Sequence, residues 1–181
     1  MKISRRTYII GVLVVVLLAA IASYVSLISI TQSLSGGFGA DTECASGKHV
    51  SVGFGTIKAP AHSHLHLASL TLEQPEHLRS LGMVLLRFER RGKTRAVYGM
   101  VAGFPPRHLL FDLHWAHISL GSNTALVPRA TYNVVVGLQR IGSQTGTLRG
   151  VQVSFQQGSS NYVWHSSLRV RITPNSCISH Q

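Results

Sequence analysis

The chain predicts an all-β fold: an antiparallel β-sandwich of seven or eight strands, immunoglobulin-like or cupredoxin-like, preceded by one N-terminal transmembrane helix. Three observations predict it. Residues 7 to 40 contain no charged side chain. Beyond them no long helical periodicity occurs, and short runs rich in Val, Leu, Phe and Tyr are spaced by Gly, Pro, Asn and Ser. Two cysteines, Cys44 and Cys177, bracket those runs.

The apolar run from Tyr8 to Ile30 is 23 residues long. At about 1.5 Å per residue a helix of that length crosses a hydrocarbon core roughly 30 Å thick. Lys2, Arg5 and Arg6 precede it, and basic residues stay on the cytoplasmic side. The expected organisation is therefore a cytoplasmic basic stub over 1–6 and an anchor over 7–32. A Gly/Ser tether over 33–40 and an extracytoplasmic domain over 41–181 follow. The protein is expected in the cell membrane as a single-pass chain with its C-terminal domain outside. The alternative is secretion after signal-peptide cleavage near Ala20-x-Ala22. Against cleavage, the apolar pattern continues through Tyr24, Val25, Leu27, Ile28 and Ile30. Ser4-Arg5-Arg6-Thr7-Tyr8-Ile9 also has features of a twin-arginine export signal, with Tyr where Phe is typical.

In the domain, Val50, Val52 and Phe54 alternate with small or polar residues and predict the first strand. Further strands are expected near Leu65–Leu72, Met83–Phe88, Thr94–Val101, Leu109–Ile118, Tyr132–Leu138, Leu148–Phe155 and Tyr162–Ile172. Arg90-Arg-Gly-Lys-Thr94 reads as a hairpin turn joining its two flanking runs. Pro75-Glu-His-Leu-Arg79 suggests a short helical turn. Gln156-Gln-Gly-Ser-Ser-Asn161 reads as a second hairpin loop. The inward set before it is Val151, Val153 and Phe155. After it, Arg169 and Arg171 alternate with Leu168, Val170 and Ile172, as in a strand with one wet face.

The charge balance is lopsided: 17 Lys and Arg against six Asp and Glu, a formal net charge of +11. Arginine dominates, the lysines being Lys2, Lys48, Lys58 and Lys93. Without Lys2, Arg5 and Arg6 the exported part keeps 14 basic against six acidic residues, a formal +8, and its expected place outside the membrane argues against nucleic acid as a partner. The positive charge itself calls for an anionic one. It points to the membrane, anionic lipid headgroups, an acidic wall polymer or an envelope protein. Arg87, Arg90, Arg91, Lys93 and Arg95 form the densest basic cluster, a candidate patch for an anionic partner. Cys44 and Cys177 are expected to form a disulfide, since thiols outside the membrane tend to be oxidised. They lack the CxxC spacing of a metal site.

Ten histidines are present. His62-Ser-His64-Leu-His66 would place three imidazoles on one face if the segment were a strand. Such a face suits Cu or Zn, and Asp112-Leu-His114-Trp-Ala-His117 offers further ligands in His114 and His117. Pro60, just upstream, favours a loop instead. A blue-copper centre needs a free thiolate, which a disulfide would consume. Catalysis is not expected. The chain has no Gly-x-Ser-x-Gly, no His-Glu-x-x-His, and only six acids, with Glu73 and Glu76 close together beside Pro75. The expected function is a non-catalytic binding or assembly module held at the membrane. The alternative is a periplasmic or cell-surface copper/zinc-binding domain using the His-rich segment.

Overall fold

The structure, a computed structural model, describes residues 31–34, 42–88, 99–106 and 115–175. Among these the fold is all-β, with no helix. Residues 7–30 of the expected anchor lie outside the described residues, as does Cys177.

Twelve strands are described: β1 (Thr31–Ser33), β2 (Thr42–Ser46), β3 (His49–Lys58), β4 (His66–Glu73), β5 (Leu78–Phe88) and β6 (Gly99–Ala102). They continue with β7 (Trp115–Ser119), β8 (Thr131–Arg140), β9 (Gly146–Leu148), β10 (Gly150–Gln157), β11 (Ser160–Ser166) and β12 (Arg169–Thr173). They form a five-stranded sheet β6-β3-β8-β5-β7, a four-stranded sheet β1-β11-β10-β4 and a three-stranded sheet β2-β12-β9. All pairings are antiparallel except β1 with β11 and β2 with β12.

One apolar core joins the three sheets. The five-stranded sheet contributes Val50, Val52, Phe54, Ile57, Met83, Leu85, Tyr132, Val134, Val136 and Leu138. Leu67, Val151, Val153, Phe155, Trp164, Leu148, Val170 and Ile172 meet them from the other two sheets. The alternation in β3 runs 50, 52, 54 and then 57. A bulge between Gly53 and Gly55 inserts the extra residue, so Ile57 and not Thr56 turns inward. The bulge takes the Phe54 carbonyl out of the ladder, and the buried Ser166 hydroxyl donates to it at 2.8 Å. One hydrogen bond thus ties the end of β11 to the middle of β3.

The five-stranded sheet is buried on its second face as well, where Ser51, Val84, Leu86, Asn133 and Val135 lie. That is why residues 132–138 show no polar alternation: a strand covered on both faces reads as a continuous apolar run. The described part of the cover is the 103–106 segment. Ser51 Oγ donates to the Gly103 carbonyl at 2.6 Å, and the Phe104 ring lies flat against Gly137. A Cβ at Gly137 would overlap that ring.

The last two expected strands are each divided. Leu148–Phe155 breaks at Arg149 into β9 and β10, and Tyr162–Ile172 breaks at Ser167–Leu168 into β11 and β12. The result is one long hairpin bent in the middle. Its tip half, β10–β11, belongs to the four-stranded sheet, and its base half, β9–β12, belongs to the three-stranded sheet. Strands that bend from one sheet into another make the corners of β folds. Alongside the returning limb runs the N-terminal arm, β1 beside β11 and β2 beside β12.

Several expectations are corrected. Residues 90–94 lie outside the described residues, and the described parts of the runs flanking them do not pair with each other. β5 pairs with β8 and β7, whereas β6 adds to the far edge of the sheet beside β3. Pro75–Arg79 is not helical. Glu76 makes a β-bridge to Thr147, and β5 begins at Leu78. Thr31 and Gln32, expected at the end of the anchor, are in β1 with Ser33, and Leu34 is buried with its N–H on the Val163 carbonyl.

Two substitutions test this packing by chemical denaturation. Ser166→Ala leaves the Phe54 carbonyl without its donor and should cost about 1–3 kcal/mol. Gly137→Ala pushes against the Phe104 ring and should cost about 1–3 kcal/mol, with partial recovery in the double variant with Phe104→Leu.

Candidate functional site: an arginine cleft at the bent hairpin

The base of the bent hairpin carries a concentration of exposed arginine. Val170 and Leu148 face each other across β12 and β9 and are buried. Their neighbours therefore turn outward by the period-two rule. Arg171 stands opposite Thr147, and Arg169 precedes Arg171 by two residues on the same exposed face. Side chains so spaced are about 6–7 Å apart along a strand. Arg149 occupies the break between β9 and β10, one residue past the ladder partner of Val170, and is exposed. The three guanidinium-bearing residues, with Thr147, Leu148 and Val170, line a cleft of about 270 Å³.

The neighbouring carboxylates whose side chains are described are engaged elsewhere. Glu76 Oε2 accepts from Thr147 Oγ1 at 2.8 Å. Glu73 Oε2 lies 2.8 Å from His165 Nε2, and the Glu73 carbonyl accepts the Arg149 N–H at 3.0 Å. Among the described residues none of Arg149, Arg169 and Arg171 has an ion-pair partner. Other arginines behave differently. Arg140 clamps a turn, donating from Nη1 to the carbonyls of Gly142 (2.5 Å) and Gln144 (3.3 Å). Arg79 Nε donates to Gln139 Oε1 at 2.7 Å. Arginines that hold the fold are bonded to it, whereas the cleft arginines present their donors to solvent. A planar guanidinium binds phosphate and carboxylate oxygens in pairs, so the cleft has the chemistry to hold a dianion or a stretch of polyanion.

The other candidate residues fall differently. His62 is in a turn, His64 lies in the connection before β4 with its N–H on Gln157 Oε1, and His66 opens β4. The three do not share a strand face. His117 is on β7 in another sheet, opposite Leu86, and His114 lies outside the described residues. No group of three His, Cys, Asp or Glu among the described residues is placed to hold a metal. Of the basic cluster, Arg87 is on β5 opposite Ala116, and Arg90, Arg91, Lys93 and Arg95 lie outside the described residues. The backbone of Cys44 is in β2 opposite Arg171. No protein-family model matches the chain, and no curated protein matches its sequence.

The wet face of Arg169 and Arg171 was readable from their alternation with Leu168, Val170 and Ile172. The contribution of Arg149 was not, because it depends on the ladder between β9 and β12. A side chain kept for a ligand contributes little to folding. Single Arg149→Ala, Arg169→Ala and Arg171→Ala variants should therefore unfold within about 0.5 kcal/mol of the parent. Arg140→Ala, which strips donors from a turn, should cost about 1–2 kcal/mol. Thermal or urea melts distinguish the two classes.

Proposed function

We propose that the protein is a non-catalytic, single-pass membrane protein whose extracytoplasmic domain, an immunoglobulin-like or cupredoxin-like sandwich, binds an anionic partner. The observation that carries this reading is the cleft of three exposed arginines without described carboxylate partners. The membrane placement rests on the apolar run Tyr8–Ile30 and the basic residues before it. The partner is an acidic wall polymer or the acidic face of an envelope protein.

The binding test is calorimetric titration of the detergent-solubilised full chain with inorganic pyrophosphate and with a short polyphosphate. Binding should weaken as salt is raised. It should fall roughly tenfold or more in each of Arg149→Ala, Arg169→Ala and Arg171→Ala, the scale of a charge-assisted hydrogen bond. Replacement by Lys, which lacks the paired donors, should restore only part of it. Binding indifferent to all three positions would refute the cleft as the site.

The reading also includes a disulfide between Cys44 and Cys177. It would fasten β2 to the chain that follows β12, closing a loop of more than 100 residues. In the chain-entropy account such a link stabilises by roughly 4–5 kcal/mol. Peptide mapping of unreduced protein should recover the two cysteine peptides joined, and reduction should lower the melting temperature. Two free thiols in oxidised protein would contradict it.

A further inference from the structure

We infer that one end of the domain, formed by Lys58, His62, His64, His66, Val127 and Arg129, lies on the anionic surface of the bilayer that holds the anchor. The inference rests on the anchor reading above and extends it to the orientation of the domain.

The geometry starts from β1. The apolar run ends at Ile30 and β1 begins at Thr31, so no residue separates the expected span from the sheet. Thr31 pairs with Asn161 at the start of β11. Across the same level of that sheet, Asn161 is opposite Gln156, Gln156 is opposite His66, and His66 bridges to Ala125. Neighbouring strands are about 4.8 Å apart, so His66 lies roughly 14 Å to the side of Thr31 and at the same height. The chain segments that close this end are joined to one another. Leu126 N–H donates to the Leu65 carbonyl at 2.7 Å, Arg129 N–H to the Ala59 carbonyl at 3.1 Å, and His64 N–H to Gln157 Oε1 at 3.0 Å. The entry point of the anchor and these loops form one surface.

Its chemistry fits headgroups. Lys58, His62, His64, His66 and Arg129 are all exposed, and Val127 is a large apolar side chain left 43% exposed among them. The carboxylates whose side chains are described, Glu73 and Glu76, are at the other end. Glu73 closes β4, seven residues from His66, which is about 23 Å along a strand. Basic and amphipathic side chains close to a span favour the anionic leaflet surface.

This orientation also narrows the ligand of the arginine cleft. The cleft lies beyond the Glu73 end of the four-stranded sheet, where β10 and β11 give way to β9 and β12. That separation of about 23 Å or more exceeds the Debye length of about 8 Å at physiological salt. Headgroups of the same bilayer are therefore out of reach of Arg149, Arg169 and Arg171, and the cleft lies at the end of the domain remote from the membrane.

The test uses the full chain, histidine-labelled, in nanodiscs of phosphatidylcholine and phosphatidylglycerol containing a gadolinium-headgroup lipid. Imidazole signals are assigned by single His→Gln variants. His62, His64 and His66 should broaden strongly, and His49 and His77, at the opposite end, should stay sharp. The Lys58→Glu, Arg129→Glu double variant should reduce the broadening of the trio at least twofold. Equal broadening of all five, stronger broadening of His49 and His77, or a trio indifferent to the double variant would overturn the inference. A chain that separates from the nanodisc on alkaline washing would defeat the anchor reading itself, a result distinguishable from all of these.

Discussion

The close approach of Gly150 to the Ser166 carbonyl is the constraint on which the architecture depends. A Cβ at position 150 would stand 2.5 Å from that oxygen and 2.8 Å from Glu73 Oε2. Only glycine lets the two limbs of the hairpin come this close where they leave one sheet for another. Ser166 serves the same corner twice, since its hydroxyl donates to the Phe54 carbonyl at the β3 bulge. Bend and bulge are thus one feature seen from two sheets. The bend turns Val151, Val153 and Phe155 into the core from one sheet, and Val170 and Ile172 from the next. It also leaves Arg149 at the break, beside the outward pair Arg169 and Arg171.

Much of this was legible in the sequence because burial leaves a periodic trace. The alternation at 50–54, the inward set at 151–155 and the wet face at 169–171 all have period two and all match the structure. The hairpin turn near Gly158 was legible from its composition. What was not legible concerns pairing. Nothing in the residues of β5 and β6 says that they flank different strands, and the turn-like 90–94 segment argued the opposite. Ladder partners are a property of the whole sheet, whereas turn chemistry is local. The break at Arg149 was hidden for a related reason, since Gly150 looks like an ordinary strand glycine until its neighbour across the hairpin is known. For His62, His64 and His66 the sequence left strand face and loop both open, because alternation alone does not distinguish a strand from a loop beside one; the structure has the loop for His62 and His64. Pro60 was the signal that pointed to the loop.

The charges of the domain are sorted by structure more than by sequence. Arg79 and Arg140 are bonded into turns and strands, while the cleft arginines are not. The net positive charge, 14 Lys and Arg against six Asp and Glu once Lys2, Arg5 and Arg6 are set aside, therefore overstates the uniformity of the surface. One end combines the start of β1 with Lys58 and Arg129, and the other holds the cleft and both carboxylates whose side chains are described. A domain so divided can rest on one anionic surface and offer its arginines to a different one.

The account holds that the cleft is made by the geometry of the bend and not by the mere number of arginines. Pyrophosphate affinity in Gly150→Ala, which keeps Arg149, Arg169 and Arg171, tests this most directly, in protein that still melts cooperatively. The added methyl forces the limbs apart and should weaken binding by roughly tenfold, the scale of one lost charge-assisted hydrogen bond. Affinity equal to that of the parent chain would show that three nearby positive charges suffice without the bend, and would contradict the account.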